Sequence, residues 1–263
     1  MTSLKRLFIL ACYVLFFVTE IGSAQNVHLT QEELESKNLV EVEPNSILPS
    51  DLANIYRLVP YKIRRARWGH AFTITYSQYN PSGFETDFVS PTLGSYDDLY
   101  GSPSMPLLEL SYSYKWNFIL GSIGPEIAYG AYKNEAADEA LLGNATLNLQ
   151  IIRAGIKFVA DNLMYEPIFA PYGLLGAYTV LYKEAQANIK HDGNTEVAMY
   201  YGGGLLMQLG ALDKTAAVDS YIESGIENSY VFVETRKYMA SSKSEDPDFS
   251  TDFDLNVGLT LEF

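Results

Sequence analysis

The sequence predicts an all-β fold: a closed antiparallel eight-stranded transmembrane β-barrel behind a short, partly helical N-terminal segment. Three observations lead there. Residues 68–263 contain eight segments in which large apolar or aromatic side chains alternate with small or polar ones. These segments outrun the five or six residues usual in a soluble sheet and reach the roughly 9–11 that a tilted membrane strand needs. The chain is also rich in interfacial aromatics, with 20 Tyr, 13 Phe and 2 Trp in 263 residues.

The first 24 residues have the order of a secretory leader. Lys5 and Arg6 precede the apolar run Leu7–Val18, and Gly22-Ser23-Ala24 supplies small residues for cleavage. The run is short for a spanning helix. Cys12, the only Cys, lies inside it, too early for the apolar stretch of a lipid-anchor signal. Residues 25–67 form a separate extension. Thr30-Gln31-Glu32-Glu33 is a capping box that predicts a short helix, and Ser50-Asp51 caps a second one ending before Pro60. Lys62, Arg64, Arg65 and Arg67 put four cations in six residues, read either as a solvated linker or as a contact with lipid phosphates.

The barrel reading starts at Trp68. Trp68, His70, Phe72, Ile74 and Tyr76 alternate with Gly69, Ala71, Thr73, Thr75 and Ser77. Residues 106–117 set Leu108, Leu110, Tyr112, Tyr114 and Trp116 against Glu109, Ser111, Ser113 and Lys115. Residues 119–131 set Ile119, Ile123, Ile127 and Tyr129 against Ser122, Gly124, Glu126 and Gly130. The bulky rows belong on the lipid side and the small rows in a narrow, filled lumen. On that rule, 172–182 turns Tyr172, Leu174, Tyr178, Val180 and Tyr182 outward, and 197–209 does the same with Val197, Met199, Tyr201 and Leu205. Gly202-Gly203-Gly204 is read as a place of sharp barrel curvature.

Two segments break the simple alternation. In 145–159 the apolar parity switches between Ile151 and Ile152, which predicts a β-bulge that brings Arg153 and Lys157 to the polar face. In 225–239 both parities are apolar, and Glu234 and Arg236 decide for the interior, leaving Val231 and Val233 outside. The predicted lumen network is Glu109, Lys115, Glu126, Arg153, Lys157, Glu234 and Arg236, because charges removed from water must pair. Arg153, Lys157 and Arg236 are expected to pair with Glu109, Glu126 or Glu234.

The last strand runs Phe253, Leu255, Val257, Leu259, Leu261, Phe263, alternating with Asp254, Asn256, Gly258, Thr260 and Glu262. This row resembles the C-terminal signature of small eight-stranded Gram-negative outer-membrane barrels (OmpA-, OmpX- and OmpW-like). Tyr172-Gly173-Leu174-Leu175-Gly176-Ala177-Tyr178 and Tyr200-Tyr201-Gly202-Gly203-Gly204-Leu205 are similar to strands of the same family. The resemblance covers 68–263 and implies location in the cell outer membrane. It makes the 253–263 row the signal read by the barrel-assembly machinery, and residues 25–67 a periplasmic extension. It also implies contact with outer-membrane lipids and lipopolysaccharide. Loops near 80–105, 133–143, 184–195 and 241–250 then face outside, and turns near 117, 161–167 and 211–222 face the periplasm, the last long enough to contain a helical turn. The outer loops are acidic, which suits solvation or divalent bridges to lipopolysaccharide.

Composition narrows the function classes. With 18 basic and 32 acidic residues the net charge is −14, which argues against nucleic acid as a partner. One Cys excludes a disulfide framework or a Cys-based metal module. The three histidines, His28, His70 and His191, show no metal spacing. No Gly-x-Ser-x-Gly elbow or phosphate loop occurs, so no cofactor and no enzyme activity are predicted. A monomeric structural or surface-interaction barrel is the leading reading. A small, porin-like channel for ions or apolar solutes and an outer-membrane lipid-modifying enzyme or protease are the alternatives.

Overall fold

The computed structural model describes residues 31–36, 39–41, 56–85, 96–100, 105–135, 145–186, 189–243 and 245–263. The leader over 1–24, the caps at Thr30 and Ser50, His28 and parts of the loops 80–105 and 133–143 lie outside them. A helix α1 (Gln31–Ser36) and a small antiparallel sheet of β1 (Leu39–Glu41) and β2 (Tyr56–Leu58) precede a single turn α2 (Tyr61–Arg64). The barrel follows: β3 (Trp68–Tyr79), β4 (Met105–Asn117), β5 (Ser122–Glu135), β6 (Thr146–Val159), β7 (Phe169–Gln186), β9 (Ala198–Gln208), β10 (Asn228–Tyr238) and β11 (Asp254–Glu262). Each pairs antiparallel with its neighbours, and β11 pairs with β3 to close the ring. The chain is thus a closed eight-stranded antiparallel barrel. A ninth strand, β8 (Ile189–Asn194), pairs among the described residues with the far end of β7 and extends that hairpin beyond the ring.

The alternation that defines the strands also defines two faces. Phe72, Ile74, Leu108, Leu110 and Ile127 on the outer face are each more than half exposed. Such a continuous apolar surface is unfavourable in water and suits lipid. At the rim where β3 begins, the lower rim, the outer face turns aromatic. Trp68 stacks on Tyr114 with ring centroids 5.4 Å apart, and Trp116 on Phe118 at 5.7 Å. Rings with one polar edge favour the boundary between acyl chains and headgroups.

Several expectations need correction. There is no bulge at Ile151-Ile152: β6 pairs without interruption with β5, from Thr146↔Glu135 to Val159↔Ser122, and with β7. Leu147, Leu149 and Ile151 share the inward parity of Arg153 and Lys157 because the lumen itself changes from apolar to charged along its axis. The same cause reverses 172–182. Tyr172, Leu174, Tyr178 and Val180 point inward and are buried, while Leu175 and Leu181 face out. Ile119 is not a strand residue. It sits in the turn closed by the Phe118 and Gly121 backbones, so β5 starts at Ser122. The 211–222 connection, by contrast, does hold the expected helical turn, extended into a helix, α4 (Lys214–Ser224), capped by the Asp213 side chain on the Ala216 N–H at 3.0 Å and ended by Gly225 in the left-handed conformation.

Glycines at 176, 204 and 258 make room for rings from the neighbouring strand. Tyr200, Tyr172 and Phe232 stand directly opposite them. A Cβ at these positions would come within 2.9, 2.9 and 2.7 Å of those rings, respectively. Gly204 of the Gly202-Gly203-Gly204 run therefore serves the packing of a specific inward side chain, Tyr172.

Candidate functional site

The lumen is the part of the molecule where chemistry-bearing side chains converge, and it has three levels. The upper level is apolar and aromatic. Helix α3 (Tyr96–Tyr100) folds into the upper mouth with Leu99 fully buried. Phe84 stacks on Phe249 at 5.1 Å, and the Tyr79 hydroxyl donates to the Phe249 carbonyl at 2.8 Å. The Tyr100 hydroxyl donates to Glu184 at 3.0 Å, and burial together with that carboxylate holds the phenol above its ordinary range.

The middle level is a closed ion cluster. Glu109 of β4 accepts from both sides: Arg153 Nε at 2.7 Å with Nη2 alongside, and Arg236 Nη1 at 3.2 Å to each carboxylate oxygen. Glu126 of β5 faces Arg153 and Lys157, each at 3.5 Å, and accepts from Ser113 Oγ at 3.1 Å. Glu234 of β10 pairs with Arg236 and accepts from the Tyr172 hydroxyl at 2.9 Å and Asn256 Nδ2 at 3.2 Å. The Arg153 guanidinium lies 4.7 Å from the Tyr200 ring centre. Three carboxylates thus meet three cations, and the cluster is neutral as a whole. Neutrality with dense hydrogen bonding is what permits ions of this number away from bulk water.

The lower level joins the barrel to the N-terminal extension. Lys115, expected with the other six, pairs one level below them: with Asp161 at 3.2 Å, with Glu262, and with the Tyr61 hydroxyl at 3.4 Å. Arg65 holds Asp161 at 2.7 Å and the carbonyls of Phe118 and Gly121. The Tyr61 hydroxyl donates to Glu262 at 2.9 Å, with the Tyr61 side chain wholly buried. This level balances as well, with Arg65 and Lys115 against Asp161 and Glu262. Residues 60–65 therefore fill the lower mouth. The expectation of a solvated linker or of lipid contact fails for Arg64 and Arg65, because each finds buried acceptors on the barrel rim. Lys62 and Arg67 remain exposed.

Alternation places Glu109 and Glu126 on the polar face; Arg153 and Lys157 share that face without the bulge invoked for them, and Glu234 and Arg236 are placed by the preference of charges for the interior. Alternation also put Glu262 on the polar parity, but nothing local marked it as the partner of Lys115. Asp161, Tyr61 and Arg65 were missed because they lie outside strands, where period-two reasoning has no purchase. In the last strand, Phe253, Leu255, Leu261 and Phe263 are exposed on the outer face, and Val257 and Leu259 are partly covered there. The Phe263 N–H and C=O both pair with the His70 backbone at 2.9 Å, across the closing seam. The His70 ring lies on the outer face against the Tyr112 hydroxyl at 2.6 Å, and the His191 ring stacks on Tyr182 at 5.8 Å.

No protein-family model matches the chain, and no curated protein matches it. Similar solved structures include Ail, the attachment invasion locus protein of Yersinia pestis. It is 13% identical with a TM-score of 0.40, aligned over 74% of this chain and 97% of that one. The Neisserial surface protein A is 14% identical with a TM-score of 0.39, over 75% and 98%.

Proposed function

We propose that this chain is an outer-membrane barrel with a structural or surface-interaction role, acting through its upper loops and lipid-facing wall rather than by passing solutes. The observation that supports this reading is the occupancy of the lumen at every level. Aromatic packing fills the top, a neutral six-ion cluster the middle, and residues 60–65 the bottom. A path for ions would require breaking buried pairs, each of which leaves a charge without its partner. In this reading the lower rim faces the periplasm, and the β7–β8 hairpin projects outward with the acidic loops. The partners are outer-membrane lipids and lipopolysaccharide, with the barrel-assembly machinery engaging the 253–263 row during insertion. Single-channel recording on the refolded full chain in planar bilayers tests the proposal. The expected result is no steady conductance. A steady open level in the unmodified protein would overturn it in favour of a channel.

A further inference from the structure

Beneath the barrel, at the lower rim, lies a cavity of about 470 Å³ between the segment that fills the mouth, helix α4 and the ends of β7, β9 and β10. Its volume is in the range of small-molecule sites, and its lining is of mixed character. Leu58, Ile168, Val218 and Ile226 give it apolar walls; Arg64 and Lys214 contribute cations from opposite elements.

Arg64 is the unusual residue. It is only 8% exposed, and its guanidinium lies 5.2 Å from the Tyr61 ring centre and 5.8 Å from that of Tyr221. Nη2 donates to the Glu227 carbonyl at 2.7 Å. Nε and Nη1 are buried and meet no hydrogen-bond acceptor among the described residues. Leaving donors of a charged group unmet is costly, and such groups normally find partners. The carboxylates lining the cavity do not meet this need. Glu166 already accepts from the Tyr61 N–H at 2.8 Å and from Gln208 Nε2 at 3.2 Å. The Glu227 carboxyl, lifted above its ordinary range by burial, attracts Arg64 through its charge but meets neither free donor.

We propose that this cavity binds a small amphipathic anion, with a carboxylate or phosphate head met by Arg64 and Lys214 and an apolar body against Leu58, Ile168 and Val218. Two sources carry this chemistry: the headgroup region of an anionic lipid, and a free soluble anion. The inference goes beyond the sealed-barrel reading and does not depend on it, since the cavity lies outside the lumen cluster.

The test is calorimetric titration of the refolded full chain in nonionic detergent, with empty-micelle blanks. The probes are butyl phosphate, inorganic phosphate, butanol and dihexanoyl phosphatidylglycerol. Butyl phosphate is expected to bind at one site per chain, at least tenfold more tightly than inorganic phosphate or butanol. Arg64→Gln should weaken it tenfold or more. Ala217→Phe, which fills the cavity and leaves Arg64 in place, should weaken it equally. If the lipid probe matches or exceeds butyl phosphate, the source is a membrane headgroup; if it fails while butyl phosphate binds, the source is a soluble anion. The heat-dependent gel shift of a folded barrel checks each variant, and Ala217→Phe decides alone if Arg64→Gln does not fold. No binding of butyl phosphate, equal binding in a folded variant, or butanol binding as tightly would overturn the proposal. Conductance of the same preparation reports separately on the sealed-barrel reading.

Discussion

Glu109→Gln isolates the centre of the middle cluster. The substitution keeps the side chain's size and removes the carboxylate that both Arg153 and Arg236 share. The six-ion balance then shifts from neutral to one excess positive charge, and the new amide N–H₂ faces guanidinium donors. Removing one partner of a buried pair costs about 3–5 kcal/mol. Glu109 serves two partners and is only 1% exposed, so the upper part of that range applies. Glu234→Gln creates the same net charge, but Arg236 keeps Glu109, and the loss is that of one charge-assisted contact, about 1.5–3 kcal/mol. Urea unfolding of the protein in liposomes, followed by fluorescence of Trp68 and Trp116, reads both. The ordering should be wild type, then Glu234→Gln, then Glu109→Gln. Adding Arg153→Met to Glu109→Gln should restore part of the loss by restoring neutrality. If Glu109→Gln unfolds within about 0.5 kcal/mol of wild type, the typical surface-substitution range, the cluster does not hold the barrel as argued.

Three further outcomes follow from the geometry. Gly176→Val should prevent a stable closed barrel, because a Cβ there would lie 2.3 Å from the Ala154 carbonyl oxygen as well as against Tyr200; a normal heat-dependent gel shift of the variant would contradict this. Glu227 has its carboxyl raised by burial, so the folded state favours its protonated form. Its contribution is fully present below the unfolded value near about 4.3 and is lost as pH rises through the raised folded value. Glu227→Gln should therefore gain stability relative to wild type as pH increases from about 4.3, and a pH-independent difference in unfolding midpoint would rule this out. Deleting Phe263 removes two backbone bonds at the rim and the last member of the outer-face row, so the amount inserted in cells should fall more than the stability of the barrel that does form. Quantitative blots of membrane fractions, compared with unfolding of the refolded variant, distinguish the two effects.

The strands were legible because lipid imposes one rule on all eight: an apolar side chain at every second position facing out. Where the lumen is small or charged, as along β3, β4 and β11, that rule leaves a single consistent register. It failed where the lumen is itself apolar. Leu147, Leu149 and Ile151 look like lipid-facing residues, and a bulge was the simplest way to reconcile them with Arg153; the Tyr172–Val180 row misled in the same way. Both errors come from treating the interior as uniform along its axis. The lower plug was illegible for another reason. Tyr61 and Arg65 are defined by partners at positions 262 and 161, and no local periodicity encodes a contact across that much chain.

That long-range contact fixes an order of events. Tyr61 is made early, yet its acceptor Glu262 lies 201 residues later and exists in place only once β11 has closed against β3. The Tyr61–Glu262 bond therefore forms only after the seam has closed, whereas Arg65 can meet Asp161 and the Phe118 and Gly121 carbonyls without it. The Tyr61 anchor is thus a latch that can engage only on a finished ring. In stopped-flow refolding, engagement of this latch is expected as a late phase that follows ring closure and that Tyr61→Phe removes.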